Sequence, residues 1–510
     1  MRLKTFLWHH RIIFLVILYL LFRLSFLLRL PIFNDEAIYL DWGWRETHNA
    51  GYLFYSLYDA KQPLLMWLFG IVENFFQDPL LSGRTVSACM GLISLFGIYF
   101  LTKKLFSIKI ALVASFLYIV IPIFSFYDRQ ALMESTIGAI GIWSCYLFIQ
   151  LYLTNSRKFA ILLGVVLGLG FFTKSTTLLF FPAIFACTLY LYLQKKLLPI
   201  GKTLLWSVLG FFGITFLLFL QPEFWSTLES NSRYSLTFSE LLHFPFLHIL
   251  NTTLANSQIA FFFLTPMVLF FALFGIILLL RQRKIETTLL CLWVVIPILF
   301  QTLLIRFPSQ RYLVSFLPLF CLIAGYAIVF CIQKFQRLTI PILFLVFLAP
   351  AYLTILQLIS PSSYILDMSI ITFYSENAYV QGVTSGYGVI QAISYLQARI
   401  QDNNAAIGMA LNTGNPESAV MAYFQNNPQV ISTYIGGSAF TTQLAGYDCL
   451  SFGQPFYFVS RETDTAGLER FLQKEHIFNN PYETSSHVGV YTLKQHCKGK
   501  LATLTPQMQQ

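Results

Sequence analysis

The chain has 510 residues, of which 56% are hydrophobic, 17% aromatic and only 11% charged, and its mean hydropathy is +0.65. Soluble domains carry about 25% charged residues, so this composition excludes a soluble globule, a disordered chain and a coiled coil, and marks a polytopic α-helical membrane protein. The net charge of +10 is uneven: 26 Lys and Arg stand against 13 Asp and Glu before Ser360, and 7 against 10 after it, with the cations at the ends of apolar runs, which is bilayer patterning and not a nucleic-acid surface.

A helix needs about 20 apolar residues to cross a bilayer. About eleven runs qualify as transmembrane helices, near 12–33, 84–102, 108–126, 135–153, 159–173, 176–193, 203–220, 258–280, 287–305, 312–333 and 338–358. The pair 159–173 and 176–193 is short, and reads equally as one broken hairpin. No small-residue cleavage pattern follows the first run, and Arg23 and Arg29 interrupt it, so it reads as an uncleaved anchor.

Orientation follows from the short loops. Arg2, Lys4 and Arg11, then Lys103, Lys104 and Lys109, Arg157 and Lys158, Lys195, Lys196 and Lys202, Arg281, Arg283 and Lys284, and Lys334 and Arg337 recur on every second side. By the positive-inside rule that side, with the N-terminus, is the cytoplasmic face of a plasma membrane. Of the acids before residue 360 only Glu286 lies near it, so chemistry is expected outside, where two long loops fall, 34–83 and 222–258. The first holds a short amphipathic segment, 37–47, and several Trp and Tyr suited to the membrane interface.

The expected organisation is a membrane domain over 1–359 and an extracytoplasmic α/β domain over 360–510. In the second, 387–400, 417–424 and 466–474 read as helices, and 405–411, 430–435, 455–460 and 488–493 as strands. Six of the eight cysteines sit inside apolar runs without metal-ligand spacing. Cys449 and Cys497 read equally as a disulfide and as two thiols.

Charged residues at the external mouths of the helices are the candidates for chemistry. Asp35 and Glu36 follow the first run, where partial burial and a like-charged neighbour could raise a carboxyl pKa into the range of a general base. Lys61 stands against the positive-inside trend and calls for an anion such as a lipid phosphate. Asp128 and Arg129 precede the fourth run, and Glu134, five residues on, points into the bundle; ionisable groups at that depth are functional candidates by default. Lys174 and Arg311, with Arg306 nearby, add cations on the same side, and arginine's forked donors suit a phosphate. His243 and His248 are five apart, not a tight ligand spacing, and are weak candidates for a divalent metal. No P-loop, GxGxxG or GxSxG element supports nucleotide-driven transport.

Taken in order, these motifs resemble the membrane-embedded GT-C glycosyltransferases, specifically the protein O-mannosyltransferase-like group that includes bacterial lipid A aminoarabinose transferase. Asn34-Asp35-Glu36-Ala37 with Tyr39 is similar to the acidic first-loop motif, and Lys61-Gln62-Pro63-Leu64 with Trp67 to the KPPL/HPPL segment. Arg129 to Glu134 resembles R-x-x-L-L-D, Gly168 to Lys174 resembles G-L-x-x-L-T-K, and Arg311-Tyr312-Leu313 with Pro318 resembles R-Y-L-x-P. Tyr379-Val380-Gln381-Gly382 and Ser385-Gly386-Tyr387-Gly388 resemble the entry to the external domain of many bacterial members.

The resemblance implies inverting transfer of a sugar from a polyprenyl-phosphate donor to a hydroxyl on a protein, lipid or glycan acceptor at the outer face. It implies Asp35 as base, Glu36 as an acceptor-positioning group, Asp128 and Glu134 as donor or acceptor positioning groups, and Lys61, Arg129 and Arg311, with Lys174 as a weaker candidate, on the leaving phosphate. Gln62 replaces the first proline of the usual pair, Ala60 stands where aminoarabinose transferases carry a metal-associated acid, and Glu134 replaces Asp. Metal dependence therefore stays open, and an aminoarabinose donor is disfavoured. The competing function, a flippase or transporter of polyprenyl-linked lipids, predicts charge spread through the bilayer depth and repeated halves; here charge gathers at one face.

Overall fold

The structure, a computed structural model, describes residues 11–196, 198–230, 233–243, 245–371, 377–401, 403–410, 414–435, 442–461, 465, 467–483, 485–494 and 499–504. The chain forms two compact units. One comprises Met1–Leu27, Asn49–Leu68 and Arg84–Glu376, the other Leu28–His48, Phe69–Gly83 and Asn377–Gln510. The sequence reading divides the chain once, near residue 360. In the structure the helix Pro361–Ile371 falls in the first unit, and two segments of the first long loop fall in the second.

The first unit is helical. Among the described residues six helices are long and apolar enough to cross a membrane: Pro79–Leu105, Glu134–Thr154, Ser175–Leu193, Ile200–Phe219, Ile285–Leu304 and Gln336–Ile359. Phe246–Phe263 and Pro266–Arg281, bent by 113° at their junction, are long and apolar enough only when taken together. The bend has a local cause: Thr265 takes φ 70°, and Pro266, with its fixed φ and missing N–H, suits the first turn of a new helix.

The other four expected spans are shorter helices. They are Arg11–Leu24, Ile108–Val120 followed by Pro122–Tyr127, Arg157–Thr173 and Pro318–Lys334. The first run is thus helical only to Leu24 and not to residue 33, a correction to the sequence reading. Phe26 turns the chain with φ 54°. Residues 159–173 and 176–193 lie in separate helices, broken at Lys174, whose backbone is extended with φ −160° and ψ 136°.

Helix packing here uses small residues. A Cβ on Gly164 would collide with the carbonyl of Ser207, and one on Gly210 with the carbonyl of Ile161. The helices Arg157–Thr173 and Trp206–Phe219 therefore approach backbone to backbone, as membrane helices do where no hydrophobic drive separates lipid from protein.

The second unit contains β1 (Ala405–Met409), β2 (Val430–Tyr434), β3 (Cys449–Ser451), β4 (Phe456–Arg461), β5 (Leu472–Phe478), β6 (Val488–Leu493) and β7 (Leu501–Thr503). Five of them form a mixed sheet in the order β2-β1-β4-β6-β5, and β3 pairs with β7. β1 is parallel to both neighbours, with Ala406 opposite Ile431 and Phe456. It is buried along its whole length, as a central parallel strand of small and branched apolar residues should be. The helix Glu417–Phe424 supplies the crossover from β1 to β2.

One expected element is wrong. Residues 466–474 read as a helix, yet Leu472–Phe478 is an edge strand antiparallel to β6, with Leu472 opposite Leu493 and a register shift between Lys474 and His476. Pairing along β6 outweighs the local helical pattern. Cys449 is disulfide-bonded; Cys497 lies outside the described residues.

Candidate active site

Three elements of the helical unit bring charge together. Glu134 opens the helix Glu134–Thr154, where the helix dipole favours an anion. Lys174 sits at the break after Thr173, where its N–H still bonds the carbonyl of Gly170 at 2.8 Å. Arg311 lies in the short helix Gln310–Val314, capped by Ser309, whose Oγ accepts from the Arg311 N–H at 3.2 Å. Lys174 Nζ lies 2.9 Å and Arg311 Nε 3.4 Å from Glu134 Oε1. Glu134 is fully buried, and its Oε2 has no hydrogen-bond partner among the described residues. One carboxylate thus holds two cations, and the cluster keeps a net positive charge.

A cavity of about 310 Å³ opens beside this cluster. Ser175, Leu178, Tyr234, Gln301, Ile305 and Tyr312 contribute to its wall. Lys174 Nζ lies 5.4 Å from the ring centre of Tyr312, and Lys61 Nζ 5.2 Å from that of Tyr234. Two lysines therefore stand over two tyrosines that line one cavity. The Tyr234 side of the wall is fixed by a short antiparallel bridge: Arg306 N donates to Tyr234 O at 2.9 Å and Leu236 N to Leu304 O at 2.7 Å. Arg306 itself is held by Glu240 at 2.9 Å, and does not join the cluster around Glu134.

Asp128 and Arg129 are committed elsewhere. The guanidinium of Arg129 donates to the carbonyls of Phe22 at 3.0 Å, Ser25 at 2.8 Å and Phe26 at 3.0 Å, closing the end of the first helix. Asp128 accepts from Arg23 Nε at 3.0 Å, Tyr118 at 3.1 Å, Tyr19 at 3.3 Å and Ser135 at 2.8 Å. Arg23 also donates to the carbonyls of Ile119 and Tyr118 and is fully buried. A carboxylate with four donors forms a closed network, which fixes the turn leading into Glu134. Sequence reasoning missed Arg23 and also Arg84, another fully buried arginine, bonded to Leu27 O at 2.7 Å. Their signal was present: charges within apolar runs.

Asp35 and Glu36 belong to the other unit, in the first turn of the helix Asn34–His48. Glu36 is fully buried, and its Oε2 accepts from the N–H of Phe33 at 3.0 Å, so it closes the helix start. Asp35 is half-buried. The same helix is tied down within the unit. Trp44 donates to Asn426 Oδ1 at 2.6 Å, and Asn415 donates to the carbonyls of Ile32 and Thr384.

Three further first-loop acids, Asp41, Glu73 and Asp78, bond to C-terminal residues of this unit. Asp41 pairs with Arg45 at 2.8 Å and accepts from Tyr434 at 3.4 Å. Glu73 Oε1 accepts from Gln425 at 3.1 Å and Asn426 at 3.2 Å, and Asp78 accepts from Tyr423 at 3.3 Å. Burial pushes the Asp41 carboxyl up despite Arg45, and raises that of Glu73 to about 7, with a smaller push from Asp41 and Asp78.

The histidines do not build a metal site. His243 Nδ1 lies 2.8 Å from Ser239 O, and His248 Nε2 lies 2.9 Å from Ile305 O, a contact that needs a proton on that nitrogen. Among the described residues no three His, Cys, Asp or Glu come together as ligands.

Residues 60–220, which include Lys61, Glu134 and Lys174, match the family described as dolichyl-phosphate-mannose-protein mannosyltransferase. Among solved structures, ArnT from Cupriavidus metallidurans bound to undecaprenyl phosphate is similar over 96% of this chain and 99% of that one, with 14% identity and a TM-score of 0.57. Its apo state is similar over 94% and 97%, with 15% identity and a TM-score of 0.55. The apo oligosaccharyltransferase of Archaeoglobus fulgidus is similar over 96% of this chain and 75% of that one, with 13% identity and a TM-score of 0.50. A comparison with curated proteins finds no match. The structural likeness establishes the fold, and the family match covers residues 60–220 of the chain.

Proposed function

We propose that the protein transfers a sugar from a polyprenyl-phosphate carrier to an acceptor hydroxyl on the outer face of the plasma membrane, with its N-terminus in the cytoplasm. The observation that carries this reading is the pair of lysines over the tyrosines of one cavity, beside a buried Glu134 that holds Lys174 and Arg311. The apolar part of the wall suits a prenyl chain, and the cations suit its phosphate.

Asp35 takes the proton of the acceptor hydroxyl as its oxygen bonds to the anomeric carbon. The bond from that carbon to the phosphate oxygen breaks, and the polyprenyl phosphate leaves with the electron pair and the added charge. Attack opposite the leaving group inverts the anomeric centre. Lys61, Lys174 and Arg311 stabilise the departing phosphate, a preorganised electrostatic contribution that commonly exceeds that of the base. Glu36 holds Asp35's helix start, and Asp128 and Arg129 act as positioning residues through the turn before Glu134.

The test uses purified protein in detergent, a panel of labelled polyprenyl-phosphate sugars, cell-envelope extract as acceptor, and Asp35→Asn alongside. Loss of the base should lower transfer by about 10²- to 10⁴-fold while the protein still folds and binds carrier. Transfer at the wild-type rate by Asp35→Asn would remove the base assignment.

A further inference from the structure

A second cavity of about 310 Å³ in the helical unit takes no part in the chemistry above. Its wall includes Tyr52, Phe54, Tyr55, Tyr58, Gln221 and Glu223. The tyrosine rings meet at different angles: Tyr52 and Tyr55 are edge-on with centres 5.6 Å apart, and Tyr55 and Tyr58 are tilted by 59° at 6.0 Å. Tyr52 and Tyr58 are 47% and 74% exposed, although their loop is firmly held. Leu57, beside Tyr58, and Phe224, beside Glu223, are buried in one apolar cluster with Phe171, Phe172 and Leu218. Each wall thus alternates a buried anchor with a residue that faces the cavity, so the cavity is formed before any ligand arrives.

We propose that this cavity is a saccharide-binding subsite. Sugars present apolar C–H faces edged by hydroxyls, which matches aromatic rings angled around a carboxylate and an amide. The Glu223 carboxylate has no partner among the described residues, and Gln221 uses only its NH₂, in a 3.4 Å bond to Leu217 O. A carboxylate can accept from two neighbouring hydroxyls through charge-assisted bonds. An alkyl chain would leave these polar groups unsatisfied, and a phosphate would be repelled by Glu223. The position fits a sugar near the reacting centre. In the turn Tyr55–Asp59 and the residues after it, Tyr58 lines this cavity, Asp59 pairs with Arg233 at 3.7 Å, and Lys61 reaches Tyr234 on the wall of the first cavity.

The assignment of that sugar to donor or acceptor rests on the transferase reading; the binding itself does not. The experiment therefore measures binding first, on the full-length protein in lipid nanodiscs, by calorimetry with a panel of monosaccharide and disaccharide methyl glycosides and with sugar-free polyprenyl phosphate as control. At least one glycoside should bind, and Tyr58→Ala and Glu223→Gln should each weaken it at least tenfold while leaving polyprenyl phosphate affinity unchanged. If the sugar is the donor's, the variants also weaken the sugar-linked carrier; if it is the acceptor's, they raise the acceptor KM at unchanged donor affinity. Wild-type glycoside affinity in both variants, or no glycoside binding to folded wild type, overturns the proposal. Transfer by Asp35→Asn would instead fail the mechanistic reading and leave this test intact.

Discussion

Glu134 shows how much one side chain decides. It is wholly buried and accepts from Lys174 at 2.9 Å, with Arg311 at 3.4 Å, so removing one partner strands charge in a poorly solvated place. Glu134→Gln takes the shared carboxylate from both cations and should destabilise the protein by about 3 kcal/mol, and the double variant Lys174→Met/Glu134→Gln should recover part of that loss, because one of the two cations goes with it. Thermal unfolding of the four members of the cycle measures it; additive losses would mean the pair is not coupled. Arg129 makes the contrasting case. Arg129→Ala leaves three carbonyls at the end of the first helix without their donor, so about 3 kcal/mol of stability should go. Carrier affinity measured on the folded fraction should stay unchanged, and a parallel loss of carrier binding would return Arg129 to the phosphate ligands. The sequence marked both residues as charges at helix mouths. It could not say which carbonyls or carboxylates they meet, since those partners come from distant segments and nothing local encodes the pairing.

Among the elements, the helix Leu64–Glu73 ends on an acid whose surroundings set a pH dependence. Glu73 is buried and takes two amide donors, and its carboxyl rises to about 7 from an ordinary 4.5. Below about pH 4.5 the carboxyl is protonated in folded and unfolded chains alike and contributes nothing. Between 4.5 and 7 the unfolded chain gives up the proton while the folded one keeps it, so stability falls as pH rises, by roughly 3 kcal/mol in all, and then levels off. Glu73→Gln should flatten that slope and stabilise the protein at pH 7.5; unfolding midpoints of both proteins at pH 5 and pH 7.5 test it, and an unchanged slope in the variant would rule it out. This role was hidden in the sequence, where Asp35 and Glu36 were the catalytic candidates of the first loop and Glu73 was one more acid on the external face. Asp41, Glu73 and Asp78 bond instead to Tyr434, to Gln425 and Asn426, and to Tyr423. Hydropathy located the apolar helices, and short apolar runs bounded by turn residues located β1, β2, β4 and β6, because burial writes itself into the length and spacing of apolar residues. β5 escaped, since an edge strand is half solvated and its helical-looking pattern is overruled only by pairing with β6.

For the whole molecule, the division of charge between the two units predicts how ligand and stability are linked. The residues proposed to hold the carrier phosphate, Lys61, Lys174 and Arg311, all lie in the helical unit, while Asp35 lies in the other. A ligand that binds only the folded protein stabilises it by RT ln(1 + [L]/Kd), about 2.7 kcal/mol at a hundredfold excess over Kd. Sugar-free polyprenyl phosphate should therefore raise the unfolding temperature of wild type, and Asp35→Asn should show the same rise, because its carboxylate makes no contact with phosphate in the proposed reaction. Lys61→Ala, which breaks no buried pair, should lose a large part of the rise while its ligand-free unfolding temperature stays near that of wild type. High salt should shrink the effect as well, since the cations at the cavity rim are partly solvated and screened over a Debye length of about 8 Å at 0.15 M and about 3 Å at 1 M. A rise that survives both Lys61→Ala and high salt would mean that the prenyl chain alone carries the binding, and the phosphate assignment would fall with Asp35's role untouched.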